Sequence, residues 1–305
     1  MSRSTISTFQ LFELFPDVDT ARKYLESRLW PNGVTCPKCK SKERIGTRKD
    51  GFYRCHVCKL DFTVRTGTIF ERSHVPLHKW IYAMYLLVTA RKGISSLQLG
   101  KEIGITQKSA WFVLQRLREA CGNDLTMLRG IVEMDEAYLG GLEKSKHESK
   151  KLRAGRGGVG KIAVIGMRER GGRTKALSVP EVDRRTLYLA AMRNIEKGSA
   201  IHTDESKGYV GINRLSYDHQ TINHGKGEYV RKGVTTNNVE SVFAVMKRGL
   251  HGVYHHASPK HIDRYIDEFT WRLNDGNVKR HSLERLASFV DAVAGRRITY
   301  KALTA

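Results

Sequence analysis

Acidic residues are scarce in this sequence, and that scarcity is its most informative compositional feature. The 305 residues include 31 Asp and Glu against 53 Lys and Arg, which gives a formal net charge of +22 at pH 7. Such an excess favours binding to a polyanion, and nucleic acid is the partner we expect. Apolar residues make up 40% of the chain, which is typical of a folded globular protein rather than a disordered one.

Long apolar stretches are also missing. The longest, WIYAMYLLV over residues 80–88, is far shorter than the ~20 residues that span a bilayer. The opening segment, MSRSTISTFQ, has no apolar core of the kind found in secretory signals. We therefore expect a cytoplasmic protein that is associated with the nucleoid and has no membrane partner.

Cysteine is rare, with five residues in the whole chain, and four of them follow one pattern. Cys36, Cys39, Cys55 and Cys58 stand in the order C-x2-C-x15-C-x2-C, which is the spacing of a tetrahedral zinc site. The alternative is a pair of disulfides, which a reducing compartment disfavours. Because so small a module has little core, we expect Zn²⁺ to supply much of its folding free energy. Zinc ribbons bind DNA, RNA or protein, so the pattern predicts a fold more than a function.

Residues 93–120 have the pattern of a helix-turn-helix. One short helix, Ser96–Ile103, ends at Gly104, and a second begins after Thr106, which is a good N-terminal cap. Apolar residues form the inner face of the second helix. We expect its polar residues to lie outside, where they can contact DNA; they are Gln107, Lys108, Gln115, Arg116 and Arg118.

The rest of the chain alternates strands and helices. After Gly130 the pattern predicts three strands, a helix and a fourth strand that ends at Asp204, followed by a loop and a helix from Asn237. Strands joined by hairpins, with a further strand reached through a helix, predict a mixed sheet with helices on its faces. The fold class is therefore a multidomain α+β or α/β protein.

A glycine-rich basic loop over residues 140–161 separates the first two strands of this region. It has two interpretations, as a solvated surface loop or as a segment that contacts a phosphate backbone. In the second interpretation the DNA-binding residues include Lys150, Lys151 and Arg153.

Two aspartates lie in or directly after strands that are otherwise mostly apolar. Asp135 lies within IVEMDEAYL, and Asp204 follows the strand AIHT. A carboxylate in a central strand is unfavourable unless it is paired or bound to a metal, so both are candidate metal ligands. Glu133 and Glu136 are rivals of Asp135, and Glu205 is the rival of Asp204.

Glu240 is the candidate third acid, and the sequence around it permits two interpretations. Asn237 and Glu240 have the spacing of a capping box, in which Asn caps the helix and Glu is its third residue. Helical periodicity also puts Glu240 and Lys247 on one flank beside an apolar stripe, where Glu240 could reach a metal and Lys247 a phosphate. Three converging carboxylates would hold the two Mg²⁺ ions, about 3.5–4 Å apart, of phosphodiester chemistry. His202 and His224 are candidates to support these ligands.

Taken together, these segments resemble the bacterial insertion-sequence transposases of the DDE superfamily, in the branch with an N-terminal zinc ribbon. The most specific matches are VEMDEAYLGG and TTNNVESVFAVMKRGLHGVYHH. Similar segments run almost from end to end of the sequence: RLWPNGVTCPKCKSK, YRCHVCKLDFTVRTGTIF, ITQKSAWFVLQRLREA, IHTDESKGY and YIDEFTWRLN.

The resemblance implies a ribonuclease-H-like catalytic fold. Its first acid would be Asp135 in the first strand, its second Asp204 after the fourth strand, and its third Glu240 on a late helix. Lys247 would be the basic residue seven positions beyond the third acid. Members of this branch vary at the third position, where Asn or His can stand, so Asn238 is the alternative to Glu240.

The resemblance also implies an activity and a division of the chain. The protein would bind the terminal inverted repeats of an insertion sequence, cleave the DNA strands and transfer them to target DNA as at least a homodimer. Its cofactors would be Mg²⁺ or Mn²⁺ at the acids and structural Zn²⁺ in the ribbon. The predicted segments are an N-terminal helix (1–31), the zinc ribbon (32–70), the helix-turn-helix region (75–125), the ribonuclease-H-like catalytic domain (128–280) and a C-terminal tail helix (281–305).

Two other functions remain compatible with the sequence. The first is a zinc-ribbon DNA-binding regulator whose sheet domain is inactive. The second is a ribonuclease-H-like nuclease that cuts branched or hybrid substrates without joining them. The helix-turn-helix argues against the second, since structure-specific nucleases rarely need a sequence reader.

Overall fold

A computed structural model describes residues 5–122, 124–140, 147–152 and 158–304, without the side chain of Lys150. The chain divides into two units, each with its own core. The first, hereafter the ribbon unit, consists of Met1–Gly122 and Asp275–Ala305, and the second, hereafter the sheet unit, is Asn123–Asn274. Across the described ranges, no helix combines the length and the apolar character needed to cross a bilayer.

The α-helices of the described residues belong to both units. In chain order they are α1 (Thr8–Leu14), α2 (Val18–Leu29), α3 (Leu77–Thr89), α4 (Ser96–Ile103), α5 (Gln107–Cys121), α6 (Arg184–Asn194), α7 (Asn237–Gly249), α8 (Ile262–Leu273), α9 (Ser282–Asp291) and α10 (Tyr300–Thr304). A π-helical turn, Leu250–Tyr254, continues α7.

The strands form two separate sheets. A small sheet in the ribbon unit has the order β1 (Ile45–Thr47), β2 (Tyr53–Cys55), β3 (Asp61–Phe62). The strands of the sheet unit are β4 (Ile131–Leu139), β5 (Ile162–Glu169), β6 (Thr174–Val179), β7 (Ala200–Thr203) and β8 (Asp218–Thr221).

Short polar residues set the helix ends of the ribbon unit. Asp17 accepts the N–H of Thr20 at 2.8 Å and begins α2. Ser95 caps α4 through its side chain, and α4 ends at Gly104, whose φ of +63° is left-handed. Thr106 then caps α5 by accepting the N–H of Ser109. The helix pair predicted from the sequence is therefore confirmed.

Both ends of the ribbon unit contain more helix than predicted. The first 31 residues hold α1 as well as α2, because Ser7 and Gln10 form a capping box of their own. The segment 281–305 was predicted as one tail helix, but α9 and α10 are separate. Between them Ala294 pairs with Thr68, and the N–H of Gly295 donates to the carbonyl of Gly67 at 3.0 Å.

The prediction that Gln115, Arg116 and Arg118 lie outside on α5 is wrong. All three are buried, with 0%, 7% and 1% of their surface exposed. Arg116 donates to the carbonyl of Ile69 at 2.8 Å and stacks on the ring of Phe112. Neighbouring segments therefore cover α5 on its polar side too, which helical periodicity within α5 cannot reveal.

The sheet unit has a five-stranded mixed sheet in the order β6-β5-β4-β7-β8. β4, β5 and β6 pair antiparallel, whereas β7 is parallel to β4 and β8 is parallel to β7. This is the strand order and sense of a ribonuclease-H-like fold, so the predicted mixed sheet is confirmed. The sequence analysis missed β8, because DHQT is polar and shows no apolar alternation.

Alternation along β4 separates the two cores of this unit. Val132 and Met134 pack with α6 in the core on one face, and Ala137 and Leu139 pack with α7 and α8 in the core on the other. Side chains two residues apart in a strand share a face. Asp135 therefore points to the face of the sheet on which α7 lies.

Candidate metal centres and active site

The four cysteines of the ribbon form a compact cluster. Their Sγ atoms all lie within 4.8 Å of one another, with 3.5 Å between Cys36 and Cys58 and 3.6 Å between Cys39 and Cys55. Tetrahedral zinc with Zn–S bonds of about 2.3 Å holds sulfurs about 3.8 Å apart, so the cluster fits Zn²⁺. A disulfide needs about 2.05 Å, so the alternative of two disulfides is wrong.

Backbone groups favour the thiolate form at Cys55, whereas, against the N–H of Ser41, burial and the other three thiols raise the pKa of Cys39 to about 12. The N–H groups of Cys58 and Val57 lower the pKa of Cys55 to about 7. The tight turns around the cysteines provide these donors, and the aromatic rings of Trp30, Tyr53 and Phe62 pack against one another beside the cluster.

Asp135 and Asp204 lie side by side on the sheet. β4 and β7 are parallel, with Glu133 opposite His202. Asp135 follows Glu133 by two residues, and Asp204 follows His202 by two residues. Both aspartates therefore lie on the same face of the sheet as Glu133 and His202. Neighbouring strands lie about 4.8 Å apart, so the two carboxylates can bind one cation between them. Asp135 accepts the N–H of Glu136 at 2.8 Å, and Asp204 accepts that of Ser206 at 3.0 Å.

The surroundings of Asp135 disfavour its charge. The pKa of Asp135 is raised to about 7, mainly by burial and also by the negative charges of Glu136, Asp204 and Glu240. The hydrogen bond from the N–H of Glu136 acts in the opposite direction and lowers this pKa. Three separate elements thus bring their carboxylates close enough to repel one another. A divalent cation relieves that repulsion, which is the condition a metal-binding set of carboxylates should meet.

Glu240 is exposed in the first turn of α7, and its charge contributes to the raised pKa of Asp135. Its Oε1 accepts the hydroxyl of Thr236 at 2.8 Å and lies 3.4 Å from Nε2 of His224. His224 also contacts Thr236, at 3.2 Å. Both contacts of the Glu240 carboxylate are to Oε1: the Thr236 hydroxyl donates a hydrogen bond to it and the His224 ring lies beside it.

The predicted capping box between Asn237 and Glu240 is wrong. Thr236 is the N-cap residue of α7, and its side chain makes no bond to the helix backbone. The N–H of Asn237 goes to Thr235 Oγ1 instead. The helix end is bound by a carboxylate from β4, that of Glu133, so Glu240 is not needed as a cap.

The rival acids have other partners. Glu133 is fully buried and accepts bonds from Asn238, Val239 and Arg170. Glu136 accepts the hydroxyl of Tyr209 at 2.6 Å, and burial raises its pKa.

Glu205, the rival of Asp204, is exposed and accepts the N–H groups of His224 and Gly225 at 3.0 and 3.1 Å. Its carboxylate therefore fixes the turn that carries His224. Asp135, Asp204 and Glu240 remain the acids best placed for a shared cation.

The candidate DNA-binding residues differ in their surroundings. Gln107 and Lys108 are exposed on the first turn of α5; Gln107 donates to Ser96 at 2.9 Å, and Lys108 lies over the ring of Tyr300. Lys151 pairs with Glu148 at 2.7 Å. The side chain of Lys150 and all of Arg153 lie outside the described residues. Lys247 is exposed on α7.

Arg170 is the main residue near the site that the sequence analysis passed over. Its Nη2 donates to Glu133 at 3.1 Å and lies 3.4 Å from His202 Nδ1. The signal that could have revealed it is Glu133, because a carboxylate inside an apolar strand requires a buried donor or a cation.

Comparison with known proteins identifies the family. Residues 127–274 match the ISXO2-like transposase domain, and residues 16–61 match the transposase zinc-ribbon domain. The chain is 30% identical over 234 residues to an uncharacterized protein in transposable element ISH50 of Halobacterium salinarum, which covers 72% of this chain and 79% of that protein.

Solved structures offer weaker likenesses. The crystal structure of the Mos1 strand transfer complex has a TM-score of 0.29 and 14% identity, over 63% of this chain and 72% of that one. The Mos1 transposase paired-end complex with left transposon end has a TM-score of 0.27 and 13% identity, over 63% and 73%. Because these TM-scores are low, the family is assigned from the matched sequence domains and the relative from the transposable element.

The two matched domains and the relative from a transposable element agree on one family. Membership implies a divalent metal at the catalytic site and structural zinc at the cysteines, and the four clustered thiols fit the zinc. The chain therefore belongs to the ISXO2-like insertion-sequence transposases, enzymes of the DDE class that act on DNA.

Proposed function

We propose that the sheet unit cleaves DNA at the ends of an insertion sequence and joins the freed ends to target DNA. One observation carries this proposal: Asp135 and Asp204 stand on one face of adjacent parallel strands, and the charge of Glu240 reaches Asp135. Carboxylates in this arrangement are the ligands that hard cations such as Mg²⁺ or Mn²⁺ prefer. Asp135, Asp204 and Glu240 would be those ligands.

The residues of the site have distinct tasks in this reaction. Cations held by Asp135, Asp204 and Glu240 would supply activation of the attacking oxygen and stabilisation of the leaving oxygen. Asp135 and Asp204, fixed on rigid strands, set the position of the scissile phosphate, while Thr236 and His224 hold Glu240 in place. Lys247 lies two turns along α7 from Glu240, about 10.5 Å away, and would neutralise a phosphate of the same strand.

The chemistry consists of two exchanges at phosphorus. In the first, the oxygen of water forms a bond to the scissile phosphorus, the bond to the 3′-oxygen breaks, and that oxygen takes up a proton as a 3′-hydroxyl. In the second, this hydroxyl attacks a phosphate of target DNA in line, and a target 3′-oxygen leaves. Each step forms one P–O bond and breaks one, so no covalent intermediate with the protein and no oxidant are needed.

The ribbon unit would supply recognition of the terminal inverted repeats. Gln107 and Lys108 are exposed at the first turn of α5, the part of a recognition helix that contacts base edges. The net charge of +22 supports phosphate contacts along the rest of the surface. Pairing of two ends requires at least a homodimer, and binding to chromosomal DNA would associate the protein with the nucleoid.

The decisive test is a reconstituted reaction. Purified protein is mixed with Mg²⁺, labelled element ends and a supercoiled target plasmid, and products are separated on denaturing gels. We expect nicks at the element ends and labelled DNA joined to the plasmid. Asp204→Asn should abolish both products, whereas Glu205→Gln, a change of the neighbouring carboxylate, should reduce them much less.

The alternatives predict other results. Cleavage of branched or hybrid substrates without joining would identify a nuclease instead of a transposase. Specific binding to the ends with no cleavage at any concentration of Mg²⁺ or Mn²⁺ would identify a DNA-binding regulator.

A further inference from the structure

A buried carboxylate from β4 binds the N-terminus of α7. Oε2 of Glu133 accepts the N–H groups of Asn238 and Val239 at 2.8 and 3.2 Å, and Oε1 accepts Nδ2 of Asn238 at 2.7 Å. The first N–H groups of a helix have no partner within it and carry a partial positive charge. A short polar residue just before the helix usually meets this need. Here a strand more than a hundred residues earlier meets it.

Arg170 completes the connection. Its Nη2 donates to Oε1 of Glu133 at 3.1 Å, and its Nη1 donates to the carbonyl of Gly233 at 3.0 Å. Gly233 lies in the segment that leads into α7. Glu133 and Arg170 therefore hold both the first turn of α7 and the chain that approaches it. Since Glu133 is fully buried, its charge would be unfavourable without these donors.

The contact between Glu133 and Asn238 lies two residues from a proposed metal ligand on β4 and two residues from another on α7. Asp135 follows Glu133 by two positions on β4, a step of about 6.6 Å. Glu240 follows Asn238 by two positions on α7, an axial step of about 3 Å. The contact between Glu133 and Asn238 thus fixes where a late helix sits along a central strand, and with it the separation of two carboxylates that are far apart in the sequence.

We propose that Glu133 is a positioning residue for the catalytic metal site. It binds no cation itself; it sets the position of α7, so that Glu240 reaches the cations held by Asp135 and Asp204. The proposal rests on the proposed function, because it assumes that these three acids share the metal. Groups that bind and orient metal ligands commonly change metal affinity on the order of 10–100-fold when they are replaced.

The experiment uses the full chain with Glu133→Gln. Glutamine keeps the size of the side chain but puts an NH₂ donor against the N–H donors of α7. We expect the Mg²⁺ concentration for half-maximal cleavage to rise on the order of tenfold or more, with unchanged affinity for the element ends. Mn²⁺ binding in the absence of DNA, titrated by electron paramagnetic resonance, should weaken by a similar factor.

Two further variants separate positioning from stability. Glu133→Asp keeps the charge on a shorter side chain and should lie between wild type and Glu133→Gln; it carries the test if Glu133→Gln does not fold. Glu268→Gln is the matched control, because Glu268 is also fully buried in the sheet unit and is bound to Tyr254 and Arg272. It should lower the unfolding temperature in EDTA but leave the Mg²⁺ and Mn²⁺ dependence unchanged.

Three outcomes would overturn the proposal, and a fourth would contradict only the proposed function. Wild-type metal dependence in Glu133→Gln would remove the positioning role while leaving the transposase reaction intact. Equal shifts in Glu133→Gln and Glu268→Gln would reduce Glu133 to a structural residue. Complete loss of Mn²⁺ binding, as expected for Asp135→Asn, would make Glu133 a ligand. A wild-type chain that binds Mn²⁺ but never cleaves would contradict the proposed function alone, and the Mn²⁺ titrations would still decide the role of Glu133.

Discussion

The ribbon unit and the sheet unit each gather a set of metal-binding side chains, but they do so in opposite ways. The cysteines come as two pairs from the turns that flank the β1–β2 hairpin, and their sulfurs lie within 4.8 Å of one another. The acids come from β4, from the end of β7 and from α7, and they form no such tight group among the described residues. The first set is made by local chain geometry, and the second by the tertiary fold.

The difference follows from the tasks of the two metals. A structural zinc site is closed by four ligands and stabilises its own small module. A catalytic site must leave coordination positions for the substrate, so its ligands are fewer, more open and held apart by rigid elements. Burial and mutual repulsion of the acids are the consequence, and they raise the pKa of Asp135 to about 7. The zinc site stabilises the folded ribbon, whereas the repulsion among the acids of the sheet unit lowers the stability of that unit when no cation is bound.

The largest effect should come from breaking the zinc site. Cys36→Ser leaves three thiolates, and because zinc binding supplies on the order of 10 kcal/mol in small zinc modules, the ribbon should unfold. We expect loss of bound zinc, fast amide exchange over residues 32–62 and loss of binding to the element ends. Amide protection that persists after zinc is stripped by a strong chelator would mean that the ribbon folds on its own aromatic core.

The next largest effect should come from Asp135→Asn, with opposite signs for activity and stability. Cleavage should fall on the order of a thousandfold, since one of the three proposed metal ligands is lost. In EDTA the variant should unfold at a higher temperature than wild type, by about 2–4 °C for each kcal/mol of repulsion removed. Asparagine can still accept the N–H of Glu136, so the local bond is kept.

The stability difference should depend on pH in one direction. The pKa of Asp135 is raised in the folded state, from 3.8 to about 7, so folding binds a proton and wild-type stability falls as pH rises through that range. The gain from Asp135→Asn should be full above pH 7 and absent below pH 4. Thermal unfolding in EDTA across this range measures it, and a gain that grows toward low pH would contradict the raised pKa.

The comparison between the two sites also explains what the sequence could predict. Cysteine spacing is a local property, so the zinc site could be read directly. Asp135 and Asp204 could be proposed as metal ligands because a lone carboxylate in or beside an apolar strand is conspicuous. The role of Glu133 could not, since its partners Asn238 and Val239 are distant in sequence and supply backbone groups that no pattern marks.

Burial in the ribbon unit escaped prediction for a similar reason. Helical periodicity describes one face of α5, and it assigned Arg116 to solvent. The carbonyl of Ile69 and the ring of Phe112 bind that guanidinium instead. A second packed side can be known only once the other segments are in place.

A smaller effect should distinguish Glu240 from Asn238 as the third active-site residue. Glu240→Gln removes a carboxylate from the metal site and should reduce cleavage on the order of a hundredfold. Asn238→Ala removes one hydrogen bond to a charged carboxylate, worth about 1.5–3 kcal/mol, but leaves the two backbone bonds to Glu133, so it should reduce cleavage less than Glu240→Gln does. Single-turnover cleavage at saturating Mg²⁺ compares them. A reversed order would make Asn238 the third active-site residue and Glu240 its neighbour.

The smallest effect should separate DNA binding from stability within the ribbon unit. Lys108 is exposed on the first turn of α5, so Lys108→Ala should weaken binding to the element ends only a few-fold. Because one phosphate contact is lost, the slope of log affinity against log salt should fall by about 0.9. Arg116→Ala leaves the carbonyl of Ile69 without its donor and should lower stability by about 1–3 kcal/mol without changing that slope. Arg116→Ala could instead reduce the salt dependence of DNA binding while the unfolding temperature stays constant. In that case Arg116 would contact a phosphate, and the buried side of α5 would have to become exposed when DNA binds.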